Sequence, residues 1–318
     1  METGLAVAEG RHETGERASR PVRLAWGAVI VILLGVVALV TYALTHVSSP
    51  TAPVAPAVTS PAVLAALSTV PTSTFDAVGV TVAGTTLIAP RLVTAPAPFT
   101  VGGKSEVLFI GAEFCPFCAA ERWPLVVALA RFGRFTELHD SASALQTVFP
   151  STSTFTFDGV GYSSRYVTLI GVELYSGTPG PDGTFTRLAR LTSAQAALVA
   201  RYSPQAGGAA PGTAPFVDVA GRLVVVTSGF SPALLIGLSQ AQIAGEVASP
   251  TPSGTGSGQT SVPPTGQAII AVANQLSAGI CAATGQQPVA VCHSRGVRTA
   301  DAALGLPVPL SPPTTTAG

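Results

Sequence analysis

The stretch that decides the fold is Glu106-Val-Leu-Phe-Ile-Gly-Ala-Glu-Phe-Cys-Pro-Phe-Cys-Ala-Ala-Glu-Arg-Trp-Pro-Leu-Val-Val-Ala-Leu-Ala-Arg131. Residues 107–110 form a short apolar run that suits a buried strand, and residues 119–131 favour helix, with Leu125, Ala128, Leu129 and Phe132 at helical spacing. Cys115 and Cys118 lie at the join. A thiol at the first turn of a helix meets unsatisfied backbone N–H groups and the positive end of the helix dipole, both of which favour the thiolate. Cys115 is placed to be that nucleophile. Two intervening residues bring Cys118 onto the next turn, within reach of a mixed disulfide formed at Cys115, and Pro116 preorganises the turn without needing an N–H. The pattern points to dithiol–disulfide exchange and calls for no cofactor. As half of a zinc site it would require a second ligand pair, and the remaining alternative is a purely structural disulfide.

Further along, residues 213–226 read as strand, Ala220-Gly221 turn and strand, a hairpin entered through Pro215. A short helix is expected over residues 195–202 behind Thr192 as cap. Residues 135–190 must hold additional strands, with 155–157 and 166–175 as the candidates. Together these features resemble the thioredoxin superfamily. The resemblance implies an α/β fold, a mixed sheet flanked by helices, with extra strands inserted after the Cys-x-x-Cys helix. It also implies that Pro215 is a cis-proline facing the cysteines and that Ala214 offers backbone groups to a bound substrate chain. Residues 111–123, with 71–79 before them and 150–157 and 162–166 after them, are similar to a family of prokaryotic membrane-anchored proteins of unknown function, a likeness spanning roughly residues 60–285. Thioredoxins carry a buried acid six positions before the first cysteine, where this chain has Phe109. Of the neighbouring carboxylates, Glu113 is a candidate acid or base that could raise the Cys115 pKa or relay its proton, while Glu121 is expected to face solvent. For both, a solvated or salt-bridged surface carboxylate is the plainer reading.

The 318 residues carry 16 basic and 16 acidic side chains, so the chain has none of the basic excess that nucleic-acid binding requires. The charges are unevenly distributed, with none in residues 24–75 or 247–294. The first gap opens with residues 24–44, 21 apolar or uncharged residues that would make a helix about 32 Å long, enough to cross a bilayer. Trp26 and Tyr42 lie near its ends, and Arg17, Arg20 and Arg23 precede it, with no further basic residue until Arg91. The segment is too long for a signal peptide's apolar region and lacks a clean cleavage site, so it reads as a retained anchor. The positive-inside rule then leaves residues 1–23 in the cytoplasm and the main domain outside the cell membrane. Residues 45–60 read as a Pro-, Ala-, Ser- and Thr-rich spacer and 61–248 as the thioredoxin-like domain. Residues 249–266 read as a flexible Pro/Gly/Ser/Thr-rich loop, 267–304 as a C-terminal helix with a clipped segment, and 305–318 as a disordered tail.

Cys281 and Cys292, separated by a Gly- and Pro-containing loop, read as a structural disulfide suited to an oxidising compartment; a zinc site with His293 lacks a fourth ligand. No metal is expected. The sequence thus predicts a single-pass membrane protein whose external domain exchanges disulfides with exported protein thiols or a membrane redox partner. The alternative is a non-catalytic cell-envelope binding or assembly protein on the same fold.

Overall fold

The computed structural model describes residues 33–38, 41, 56–93, 95, 99–203, 214–248 and 264–306. The chain divides into two compact units, Met1–Val54 and Ala55–Gly318. In the first, residues 33–38 are helical and expose Leu33, Leu34, Val36 and Val37. The rest of the expected 24–44 span, apart from residue 41, and the 1–23 tail lie outside the described residues.

The second unit is built on β3 (Lys104–Gly111), whose apolar run at residues 107–110 is buried on both faces of the sheet. It pairs in parallel with β6 (Val167–Glu173), from Ser105 opposite Val167 to Gly111 opposite Glu173. It also pairs antiparallel with β9 (Phe216–Val219), from Val107 opposite Val219 to Ile110 opposite Phe216. Beyond β9 come β10 (Leu223–Val225) and β1 (Arg91–Leu92), and β2 (Thr100–Val101) adds to β3, giving a mixed six-stranded sheet. The expected hairpin is present. Ala220 and Gly221 adopt φ of 49° and 66°, the two positive values that a two-residue connection needs to match strand twist. Asp218 accepts the Gly221 N–H at 2.8 Å and secures that turn.

Strand alternation sorts the core into two layers. Val107, Phe109, Val217, Val219 and Leu223 pack into the larger cluster, with α3 (Pro116–Ala130) and α6 (Pro264–Ala283). Leu108, Ile110, Val172, Phe216 and Val224 belong to a second cluster, joined by Leu198, Val199 and Tyr202 of α4 (Ser193–Tyr202). That helix begins at the expected cap, Thr192, which forms a reciprocal capping box with Gln195. The extra strands are β4 (Gly133–Ala142) and β5 (Ser153–Ser164), paired as a two-stranded sheet, and a small hairpin of β7 (Tyr175–Pro179) and β8 (Phe185–Arg187). Two short helices, α1 (Pro61–Ser68) and α2 (Thr72–Val78), precede the sheet; α5 (Gln240–Ala248), α7 (Val289–Cys292) and α8 (Arg295–Leu304) complete the order.

Three expected boundaries shift. Residues 57–59 are part of the folded unit instead of a spacer: Thr59 N–H donates to the Leu138 carbonyl and Asp140 N–H to that of Ala57, so this segment docks on β4 and satisfies its backbone there. The expected loop 249–266 ends early, since α6 already begins at Pro264; residues 249–263 lie outside the described residues. Leu306, placed in the tail, is buried, following the left-handed Gly305 that ends α8; residues 307–318 lie outside the described residues.

Among the described residues one helix, α6, is long and apolar enough to cross a membrane, but 83% of its apolar window is buried in the protein. It is the core helix against α3, α5 and α8. Arg131, at the end of α3, fastens this region. Its guanidinium lies 4.0 Å over the Phe75 ring and donates to Asn274 Oδ1 at 3.3 Å and to the hydroxyls of Ser277 at 3.0 Å and Ser294 at 3.2 Å. A disulfide joins Cys281 to Cys292 with a Cα separation of 5.5 Å, and a closed loop of this size contributes about 3 kcal/mol through the unfolded chain.

Candidate functional site

Cys115 is the N-cap of α3: its backbone is extended, and its sulfur accepts the Cys118 N–H at 3.1 Å. Pro116 occupies the first helical turn, where a missing N–H costs nothing. Both cysteines carry thiols, and both are buried, Cys115 with 1% and Cys118 with 0% of its surface exposed. Cys118 packs against Gly111, where an added Cβ would come within 3.2 Å of its sulfur and 2.7 Å of the Phe109 ring. Phe109 thus provides an apolar wall on this side of the pair. The flanking residues cover the pair: Phe114 stacks on Phe185 at 4.5 Å and tilts against Tyr175, while Phe117 meets Phe149 edge-on.

The two sulfurs are unlike. Burial pushes Cys115 up, but hydrogen bonds from the Cys118 side chain and N–H, the Arg122 charge and the Phe117 N–H together hold it below the ordinary thiol value. Burial, then the neighbouring Cys115, drives Cys118 well above that value. The asymmetry makes the N-terminal thiol the more acidic of the two and leaves its partner one turn inward protonated.

Arg122, one turn beyond Cys118, is fully buried. Its Nε donates to Glu173 Oε1 at 2.9 Å and its Nη2 to Glu173 Oε2 at 2.7 Å, a fork-to-carboxylate pair between α3 and the end of β6. Nη2 also donates to the Ala112 carbonyl at 3.0 Å, the same carbonyl that receives the Cys115 N–H at 3.2 Å. Nη1 is buried and has no hydrogen-bond partner. Sequence reasoning passed over Arg122 and Glu173. The available clue was that Glu121 and Arg122 are the only charges in an otherwise apolar helix.

Both nearby carboxylates, expected at the surface, are instead buried. Glu113 Oε2 accepts the Gly177 N–H at 2.9 Å, and its carboxyl is pushed up by burial against hydrogen bonds from Thr156 and Gly177. It therefore ties the cysteine loop to β7. Glu121 Oε2 accepts the Gly229 N–H at 2.8 Å, its Oε1 has no partner, and burial pushes its pKa up to about 8. The reason is that α3 is covered on every side, so three residues on from Cys118 leads into the core and not to water.

Register brings Ala214 and Pro215 to the C-terminal end of β3, because Phe216 lies opposite Ile110. The cysteine loop leaves the sheet at that same end. Ala214 is exposed and Pro215 buried. The expected cis bond is absent there: among the described residues the cis peptide is Gln287–Pro288, and Ala214–Pro215 has the ordinarily preferred trans form. Cys281 and Cys292 stand elsewhere. The Ala283 carbonyl accepts from Ser105 at the start of β3, so that end of α6 lies about 20 Å, six strand residues, from the Gly111 end.

Fold and site together define an α/β protein with a mixed sheet flanked by helices and a buried dithiol at a helix N-terminus. Residues 92–281, more than half of the chain, match a family described as a domain of unknown function (DUF929), and the chain belongs to that family. No match is found among curated proteins or among solved structures.

Proposed function

We propose that the protein is a membrane-anchored, extracytoplasmic thiol–disulfide oxidoreductase with a thioredoxin-like core. The observation that carries this reading is the placement of Cys115 as N-cap of α3 with Cys118 one turn inward and their acidities displaced in opposite directions. The strand order β6-β3-β9-β10, with α3, α4 and α6 as its covering helices, supports the thioredoxin-like assignment. The anchor rests on residues 24–44 and on the exposed apolar side chains of residues 33–38.

In the reducing direction, the Cys115 thiolate attacks one sulfur of a substrate disulfide. A Cys115–substrate bond forms, and the substrate's sulfur–sulfur bond breaks, its departing thiolate taking a proton from water. Cys118 then loses its proton and attacks the Cys115 sulfur, releasing the second substrate thiol and leaving a Cys115–Cys118 disulfide. Two electrons pass from the dithiol to the substrate, and the reverse sequence oxidises a substrate dithiol. Exported proteins or a membrane redox partner supply the other half of the exchange.

The near-complete burial of Cys115 favours a second reading, a non-catalytic cell-envelope binding or assembly protein. One assay separates the two. The full chain in detergent, reduced and then mixed with a fluorophore-labelled peptide disulfide, should release labelled thiol. Cys115→Ser should abolish release, and Cys118→Ser should accumulate a mixed disulfide through Cys115. Absence of release by the folded wild type would overturn the oxidoreductase reading and leave the second.

A further inference from the structure

Resting on the dithiol reading above, we propose that Arg122 is a positioning residue for the exchange chemistry: clamped by Glu173 and by the Ala112 carbonyl, its guanidinium holds a buried positive charge beside the two sulfurs and keeps Cys115 ionised when the pair is reduced.

The geometry has three parts. Arg122 stands one helical turn from Cys118, so both project from the same face of α3. Its Nη2 shares the Ala112 carbonyl with the Cys115 N–H, which leaves one backbone group between the guanidinium and the cysteine loop. Two Glu173 contacts and the Phe109 ring, 5.1 Å from Cζ, fix its orientation, while Nη1 remains buried without a hydrogen-bond partner. An arginine is costly to bury for stability alone, since an apolar pair of similar volume commonly serves as well. A charge retained inside an apolar helix, one turn from Cys118 and on the carbonyl that also holds the Cys115 N–H, has a function that a leucine could not supply. The field of Arg122 acts on both thiols and favours their ionised forms.

Other charged or titratable groups surround the site. Glu173 neutralises part of the guanidinium, Cys118 donates to Cys115, and Glu113 and Glu121 are carboxyls that burial pushes towards the protonated form. Removing Arg122 alone would leave Glu173 as an uncompensated buried anion, so the informative change removes both members.

The test follows the thiolate absorbance of the full chain against pH in a Cys118→Ala background, where Cys115 is the one titrating thiol and no disulfide partner is needed. Arg122→Met/Glu173→Gln should raise the half-ionisation pH of Cys115 by up to about one unit, less than the loss of a lone opposite charge would give because the Glu173 charge leaves with it. Arg122→Lys, which keeps the positive charge and the intact Glu173, should leave the half-point close to that of the background. Glu173→Gln, which leaves the guanidinium un-neutralised, should lower the half-point below that of the background. A merely structural pair would change thermal stability and leave all of these titrations superimposable, and that result overturns the proposal. Should the double variant fail to fold, an unchanged half-point in Glu173→Gln overturns it equally. A chain that exchanges no disulfide yet titrates as stated would defeat the oxidoreductase reading alone. One that exchanges while its titration ignores Arg122 would defeat this inference alone.

Discussion

Glu121 places a carboxyl where no water reaches it, satisfied on one oxygen by the Gly229 N–H and on the other by nothing. Its pKa of about 8 in the folded chain stands above its unfolded value. A raised carboxyl pKa means that the two states hold their protons alike in acid, and that the unfolded chain alone ionises as the pH climbs. Stability therefore falls between about pH 5 and about pH 8, by up to about 1.4 kcal/mol per unit from this group. In Glu121→Gln that part of the decline should vanish, giving a flatter profile of unfolding free energy against pH by urea denaturation; matching slopes for wild type and variant would refute the assignment. The two cysteines could be read from their spacing because a helix start needs only local sequence. The surroundings that give them unlike acidities could not. Arg122, Glu173 and Glu121 come together through burial of α3 on all sides, and a helix without a polar face gives no periodic sign of which way its rare charges point.

At the scale of elements, α6 and the sheet meet without a gap. A Cβ on Gly279 would come within 2.1 Å of Leu223 Cδ2 and 2.6 Å of Cγ, inside any possible contact distance. Gly279→Ala should force α6 off β10 and cost about 1–3 kcal/mol, the usual penalty of overpacking, despite alanine's better helix propensity. A chemical-denaturation midpoint unchanged or raised by the substitution would show that the contact yields. Elements whose signals are local were legible, among them the Thr192 cap, the Ala220-Gly221 turn and the apolar run of β3. Pairing was not. The parallel match of β3 with β6 spans more than fifty residues of intervening chain, and the docking of residues 57–59 on β4 uses backbone groups that carry no side-chain signature. Proline-rich composition there suggested a spacer, but the carbonyl of Leu138 and the N–H of Asp140 needed partners, and this segment provides them.

For the molecule as a whole, the high apolar content has two destinations. One is the buried core, including α6; the other is the sequence of residues 24–44, on which the proposed anchor rests and whose flanking arginines, in that proposal, leave the N-terminus in the cytoplasm. A reporter enzyme fused after Gly318 should accordingly be active only when it is one that works outside the cytoplasm, and activity of a cytoplasm-only reporter at that position would reverse the topology. The placement of the two cysteine pairs at opposite ends of β3 has a consequence of its own. A nucleophilic thiolate is indiscriminate and attacks whatever disulfide it can touch, including those of the chain that carries it. Here six residues of β3 separate Cys115 from the end where Cys281–Cys292 lies, so within one folded chain a thiolate formed at Cys115 does not reach the staple, and any exchange at one end leaves the scaffold at the other intact.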